Sequence, residues 1–320
     1  MEIRSLDGDD PATIAALLPG FRETMSLELP EDPPVTEALL ARLLQRRHGT
    51  DRLVLAVFDG GTAAGSLKLG LDLAESADAG HGSLWVFPGF RRRGAGRLLI
   101  EAARSELADR GRSRLLLDAP HTDASESFAG AVGARRTVTN LRNRLRLDDA
   151  VRARLDGYAD GKVPGYHLAY WLGGCPDNLV DSYARAWGEL DVQVNGQARI
   201  TAPTAADVRA REEEAVRTGH RQYTAAAVEN GTGAVVGYST LYVRDSPMAD
   251  AGEVLVLPDH RRRGIGTLTK AFATAWAARE NQRLFLVQAW NERENAAIVA
   301  LNGKLGFAAD SSWSTYELKT

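Results

Sequence analysis

The stretch FPGFRRRGAG, residues 87–96, returns 170 positions later as LPDHRRRGIG, residues 257–266. Self-similarity at one fixed offset constrains the fold more than any local propensity, because two similar stretches of chain are expected to build two similar units. The same offset aligns DGGT (59–62) with ENGT (229–232), and SLWVFP (83–88) with EVLVLP (253–258). Each turn follows a strand-like run, RLVLAVF (52–58) or YTAAAV (223–228), and apolar residues resume after it, as in a β-hairpin. Each following strand should stop at its proline, which cannot donate to a sheet ladder.

After each arginine–glycine stretch the apolar period lengthens toward 3.6. Ile265, Leu268, Phe272, Ala275 and Trp276 fall on one helical face, as do Leu98, Leu99, Ala102, Ala103 and Leu107, with Gly111 as a C-cap. Strands are expected at 114–120 and 283–290, then a shorter helix ending AGAVGA (129–134) or NGKLGF (302–307), then a last strand. Each copy reads as an α/β unit with a central mixed sheet flanked by helices. At 320 residues, two domains are expected: 1–147 and 199–320. Residues 148–198 match neither copy and read as a structured connector, with a helix opening near Pro176 and Asp177 and carrying Leu179, Tyr183, Ala186, Trp187 and Leu190 on one face. Its Tyr166, Tyr170 and Trp171 either wall a pocket or, as preferred, pack the two halves together.

Net charge of −3 argues against an overall basic nucleic-acid-binding face. Cys175 is the single cysteine, which fits a reducing compartment. The opening residues lack a basic segment followed by an apolar core, and no apolar run approaches the ~20 residues of a membrane helix. A cytoplasmic protein is expected, with neither membrane nor nucleic-acid partner. The Ala-, Gly- and Arg-rich composition fits a bacterial, high-GC coding sequence. Six scattered histidines lack metal-ligand spacing, so no metal is inferred.

A strand, a proline stop, a glycine-punctuated turn and a helix start form a ready anion site: N–H donors lie bare, and arginines add bidentate charge suited to phosphate. Arg91-x-x-Gly94-x-Gly96 and Arg261-x-x-Gly264-x-Gly266, preceded by Val86-x-Pro88 and Val256-x-Pro258, resemble the acyl-CoA signature of the GNAT acetyltransferase superfamily. The resemblance covers both halves and implies a tandem GNAT protein that uses acetyl-CoA or another acyl-CoA. It assigns cofactor contacts to Leu255, Val256, Leu257, Arg261, Arg262, Arg263, Gly264, Ile265, Gly266 and Thr267 in the second copy. In the first copy it assigns them to Val86, Arg91, Arg92, Arg93, Gly94, Ala95 and Gly96. WNERENAAIVALNGKLGF (290–307) is similar to the family's fourth conserved region, which makes Asn295 a further contact, with Asn291 as an alternative helix cap.

The first copy lacks this asparagine pattern, so catalysis is expected in the second. Glu253 is the candidate base, with Asp250 behind it, and the oxyanion N–H is expected from Leu255 to Leu257. Asn302 stands where the resemblance implies an acidic tyrosine, so either Tyr316 on the last strand is the candidate acid or coenzyme A leaves as thiolate. His260 is expected to shape its loop. The implied activity is acyl transfer to a primary amine of a small molecule, by a monomer or homodimer. The alternatives are a non-catalytic acyl-CoA-binding or sensing protein, or acetylation of a protein.

Overall fold

The computed structural model describes residues 1–46, 50–72, 77–189 and 202–320. They form two compact units, one of residues 1–140 with 311–320, the other of residues 141–310. Leu190 and the end of the expected connector lie outside the described residues.

The first unit opens with β1 (Glu2–Leu6), α1 (Pro11–Glu28) and α2 (Glu37–Leu44), followed by β2 (Thr50–Asp59), β3 (Thr62–Asp72) and β4 (Ala79–Val86). The expected hairpin is present: Asp59 pairs with Thr62 across Gly60 and Gly61, which have φ of 57° and 85°. Positive φ at both central positions is the two-residue turn whose twist suits a hairpin, and it accounts for the two glycines. Next come α3 (Ala95–Asp109), β5 (Arg114–Pro120), α4 (Asp123–Val132) and β6 (Arg135–Arg146). Helix α3 buries Leu99, Ile100, Ala103 and Leu107 against one face of the sheet, together with Leu67, Leu69 and Leu117. The opposite face is covered by Leu17, Phe21 and Leu40 of α1 and α2, packed on Val54, Ala56 and Phe87.

The second unit continues with α5 (Asp149–Ala159), β7 (Tyr166–Leu172), α6 (Asp177–Gly188) and α7 (Ala205–Arg217). It then repeats the first unit's order: β8 (Arg221–Glu229), β9 (Val235–Val243), β10 (Met248–Val256), α8 (Ile265–Glu280), β11 (Leu286–Glu292) and α9 (Ala296–Leu305), before β12 (Ala308–Lys319) closes the chain. The expected connector helix is α6, with Leu179, Tyr183 and Ala186 buried. The aromatic residues before it pack inside the second unit, contrary to the preferred reading. Tyr170 stacks near Phe272 and Trp276, and Trp171 meets Tyr183 at 5.4 Å. The reason is that residues 166–172 are a strand, antiparallel to β8, which points these rings onto the helices of their own unit.

The unit boundaries cut two strands, and here the structure departs from bounds at 147 and 199. Residues 141–146 of β6 belong to the second unit and residues 311–320 of β12 to the first. Strand β12 pairs antiparallel with β5, from Trp313 opposite Pro120 to Lys319 opposite Arg114. The later part of β6 lies beside β11, where Arg142 Nε donates to Gln288 and Asn143 Nδ2 to Asn291. Each repeat thus gives part of its last strand to the other unit. Leu318, 3% exposed, fills the first unit's core beside Leu115 and Leu117. Leu318→Ala is expected to cost about 2–5 kcal/mol in denaturant unfolding, as for other buried leucines. Hydrogen exchange should show the loss at residues 53–57 and 115–117; loss confined to residues 223–228 would contradict this placement of β12.

Candidate functional site

The two arginine loops have the same backbone. Arg92 and Arg262 have φ of 62° and 61°, and Gly94 and Gly264 have φ of 92° and 89°. Left-handed residues so close together turn successive N–H groups toward one side, a concavity suited to an anion. The first intrahelical bonds run from Leu98 to Gly94 (3.1 Å) and from Leu268 to Gly264 (3.0 Å), so the N–H groups just before them have no helical acceptor. Arg91 and Arg261 brace their loops by donating from Nε to Val86 O (3.2 Å) and Val256 O (2.9 Å). Arg91 also pairs with Glu28 at 2.8 Å. Among the described residues Arg92 and Arg262 have no hydrogen-bond or ion-pair partner. A Cβ on Gly96 would come 3.0 Å from the Phe128 ring, and one on Gly266 3.0 Å from Leu301, so these glycines let the helices approach.

In the first unit a cleft of about 620 Å³ runs from this loop between β4 and β5. It exists because the parallel pairing of these strands ends at Gly82 and Leu117, after which they diverge. Its walls include Leu84, Val86, Leu117, Asp118, Phe128 and Tyr316. Asp118 accepts from His81 Nε2 at 2.8 Å and from Thr315 Oγ1 at 2.6 Å. Tyr316 donates to Glu126 at 2.9 Å, and Glu126 also meets Arg136 and His121. Burial, with the Glu126 carboxylate beside it, pushes the Tyr316 hydroxyl up to about 12.

The expected acid and base belong to different units. Tyr316 lies in the first unit because β12 crosses to pair with β5, whereas Glu253 lies in the second. A hydroxyl held by a carboxylate and pushed upward is a poor proton donor, so the geometry does not favour Tyr316 as an acid. Glu253 Oε2 accepts from Arg211 at 2.9 Å and from Tyr238 at 3.2 Å. Burial, with Glu253 next to it, holds the Tyr238 hydroxyl well above the ordinary tyrosine range. Asp250 is held by Arg244 at 2.8 Å and by Gln288. Leu257 N–H is already donated to Val236 O at 2.8 Å, which removes it from the expected oxyanion donors. Asn295 caps α9 by accepting from Ile298 N–H at 3.2 Å. Asn291 is no cap; it is buried and accepts from Asn143 and Asn302. His260 does brace its loop, meeting the Tyr166 hydroxyl at 2.8 Å, which also accepts from Arg263 at 3.1 Å.

The repeat is imperfect where it matters. β10 carries a bulge between Ala251 and Val254, whereas β4 pairs with β3 without interruption. A bulge inserts one residue and re-aims its neighbours. Pairing of Met248–Ala251 with Leu286–Ala289 therefore puts Asp250 at the position of His81, and Trp290 at that of Asp118. A fixed offset of 170 sets His81 against Ala251 and Asp118 against Gln288, one and two positions away from these counterparts. His81 and Asp118 were missed for that reason, and because they are 37 positions apart in sequence.

Two stretches, residues 18–133 and 187–307, match the model of the acetyltransferase (GNAT) family. The chain belongs to that family. Among solved structures it is similar to a tandem GNAT protein from the clavulanic acid biosynthesis pathway, with TM-score 0.85, 24% identity, and coverage of 99% of this chain and 98% of that one. A GCN5-related N-acetyltransferase from Sphaerobacter thermophilus aligns with TM-score 0.67, 14% identity and coverage of 99% and 95%. At these identities the likeness establishes the tandem GNAT fold. No curated protein sequence matches the chain. Among the described residues no group of three metal-ligating side chains gathers, and no helix is long and apolar enough to cross a membrane.

The second unit of this GNAT protein buries Asn302, which accepts from Lys270 Nζ. Burial lowers the Lys270 ammonium from its ordinary 10.5 to about 7. Between those values the unfolded chain holds a proton that the folded chain has released, so stability rises with pH through that window. Lys270→Met is expected to remove the rise, and to stabilise most below pH 7, where the wild type carries the buried charge. Unfolding free energies measured from pH 6 to pH 10 check this; parallel curves for the two proteins would refute it.

Proposed function

We propose that this GNAT protein is an acyl-CoA-dependent N-acyltransferase, with acetyl-CoA as donor and a primary amine of a small molecule as acceptor. The observation that carries the reading is the cleft of the first unit, joined to a left-handed N–H concavity and to Arg92, which has no partner among the described residues. Coenzyme A has a diphosphate followed by a long, weakly polar arm. The concavity and helix start suit the diphosphate, and the slot walled by Leu84, Val86 and Phe128 suits the arm. The residues present therefore fit the donor. The loop of the second unit, with the same φ pattern and an Arg262 that has no partner among the described residues, supports a second anion site there.

Acidic groups near the first cleft, Asp118 and Glu126, favour a cationic acceptor over an anionic one. Glu126 is balanced by Arg136, so Asp118 carries most of this preference. An amine acceptor must lose a proton before or during attack, and the thioester supplies the leaving thiolate.

Gly94→Asp would force a side chain into a left-handed position and set a carboxylate at the anion site. Calorimetry with acetyl-CoA is expected to show affinity at the first unit weakened by about ten-fold or more, equivalent to roughly 1.4 kcal/mol. Gly264→Asp should act in the same way on any second binding event. Unchanged binding in both variants would sink the anion-site assignment.

A further inference from the structure

We propose that the first unit carries the proton-transfer centre, with the His81 imidazole as catalytic base and Asp118 as its positioning residue. This rests on the acyl-CoA reading above and reverses the expectation that the second copy performs the chemistry.

Position comes first. The gap between β4 and β5 closes at the Gly82–Leu117 pair, and Asp118 is the first residue of β5 beyond it. A donor anchored at Arg91–Gly96 and threaded along the gap passes Val86 and reaches this closed end four residues later, roughly 13 Å at strand rise. An extended pantetheine arm covers that span, so the thioester arrives beside Asp118, which lines the cleft. Side chains alternate along β4. Leu84 and Val86 point to the α3 face, which carries the anion loop, whereas His81 shares its face with Trp85, which packs with α1 and α2. The imidazole therefore meets the closed end from the side opposite the helix that begins at the anion loop, where an acceptor can approach the thioester.

Chemistry agrees with position. An ionised carboxylate only accepts, so Nε2 of His81 donates to Asp118, and in the neutral ring the free lone pair lies on Nδ1. Among the described residues Nδ1 has no partner. The His81 side chain is 37% exposed, enough to reach a ligand. Thr315 Oγ1, on the crossing strand, donates to the other oxygen of Asp118 and fixes its orientation.

The second unit offers nothing equivalent at the same strand positions. Asp250 replaces His81 but is held by Arg244 and Gln288, and Trp290 replaces Asp118. Glu253, carried off by the bulge, is paired with Arg211, so protonating it would break a largely buried ion pair.

The step balances without a further reactant. The amine lone pair attacks the thioester carbon, and the nitrogen's proton passes to His81 Nδ1. The carbon–sulfur bond then breaks with its electrons on sulfur, giving the amide and coenzyme A thiolate. The imidazolium returns its proton to water. Tyr316 need not donate.

The test uses the full chain, acetyl-CoA, and a panel of glucosamine, hydroxylamine and lysine, with the acetylated amine read by mass and acetyl-CoA binding by calorimetry. His81→Ala is expected to cut amide formation by about a hundred-fold or more while acetyl-CoA affinity stays within about two-fold. Added imidazole should restore part of the rate, which a purely structural loss would not allow. Asp118→Asn should lower kcat by about ten-fold or more with KM for acetyl-CoA unchanged. Full activity in His81→Ala, loss of activity in Glu253→Gln alone, or no amide from a wild type that binds acetyl-CoA would each overturn the proposal and leave the donor-binding reading standing. Absence of acetyl-CoA binding would sink both.

Discussion

The antiparallel pairing of Trp313–Lys319 with Pro120–Arg114 is the interaction on which the rest of the first unit depends. It closes that unit's sheet with the end of the chain, buries Tyr316 and Leu318, and brings Thr315 to Asp118. The reciprocal placement of residues 141–146 beside β11 does the same for the second unit, where Asn143 enters the buried Asn291–Asn302 network. Ladder hydrogen bonds are made by backbone, so a strand serves any edge whose side-chain pattern it complements. Two similar repeats present two similar edges, and exchange satisfies both.

Both copies keep the backbone of the arginine loop, while the side chains around it differ. The positive φ values at Arg92 and Arg262, and at Gly94 and Gly264, differ by only a few degrees between copies. Around them, one copy places an imidazole and a carboxylate at the closed end of its strand gap. The other places a carboxylate tied to a guanidinium, a tryptophan, and a buried lysine–asparagine network behind them. Binding a diphosphate requires backbone geometry, which tolerates side-chain change. Proton transfer requires particular side chains in particular pairs, so it tolerates less change than a backbone site does.

The hairpin at Asp59–Thr62, the helices after each arginine loop, the proline stops and the family were all legible, because each follows from local spacing. The glycines at 94 and 264 were legible for the same reason: only a residue without a Cβ takes that backbone without strain. Less was legible where a contact joins distant positions. Tyr316 was assigned to the nearer copy in sequence but lies in the other unit, and Glu253 gave no sign of its partner Arg211, 42 positions away. Tyr170 and Trp171 could not be placed until residues 166–172 proved to be a strand.

By itself, then, the sequence determined that two α/β repeats form, that each carries a glycine-opened loop before a helix, and that the family is GNAT. These are properties of short segments, governed by φ, capping and periodicity. Tertiary structure alone decided which unit each last strand completes, that a one-residue bulge shifts β10 against β4, and that His81 meets Asp118. Those outcomes depend on which edges and faces find each other in space, and separation along the chain carries no record of that.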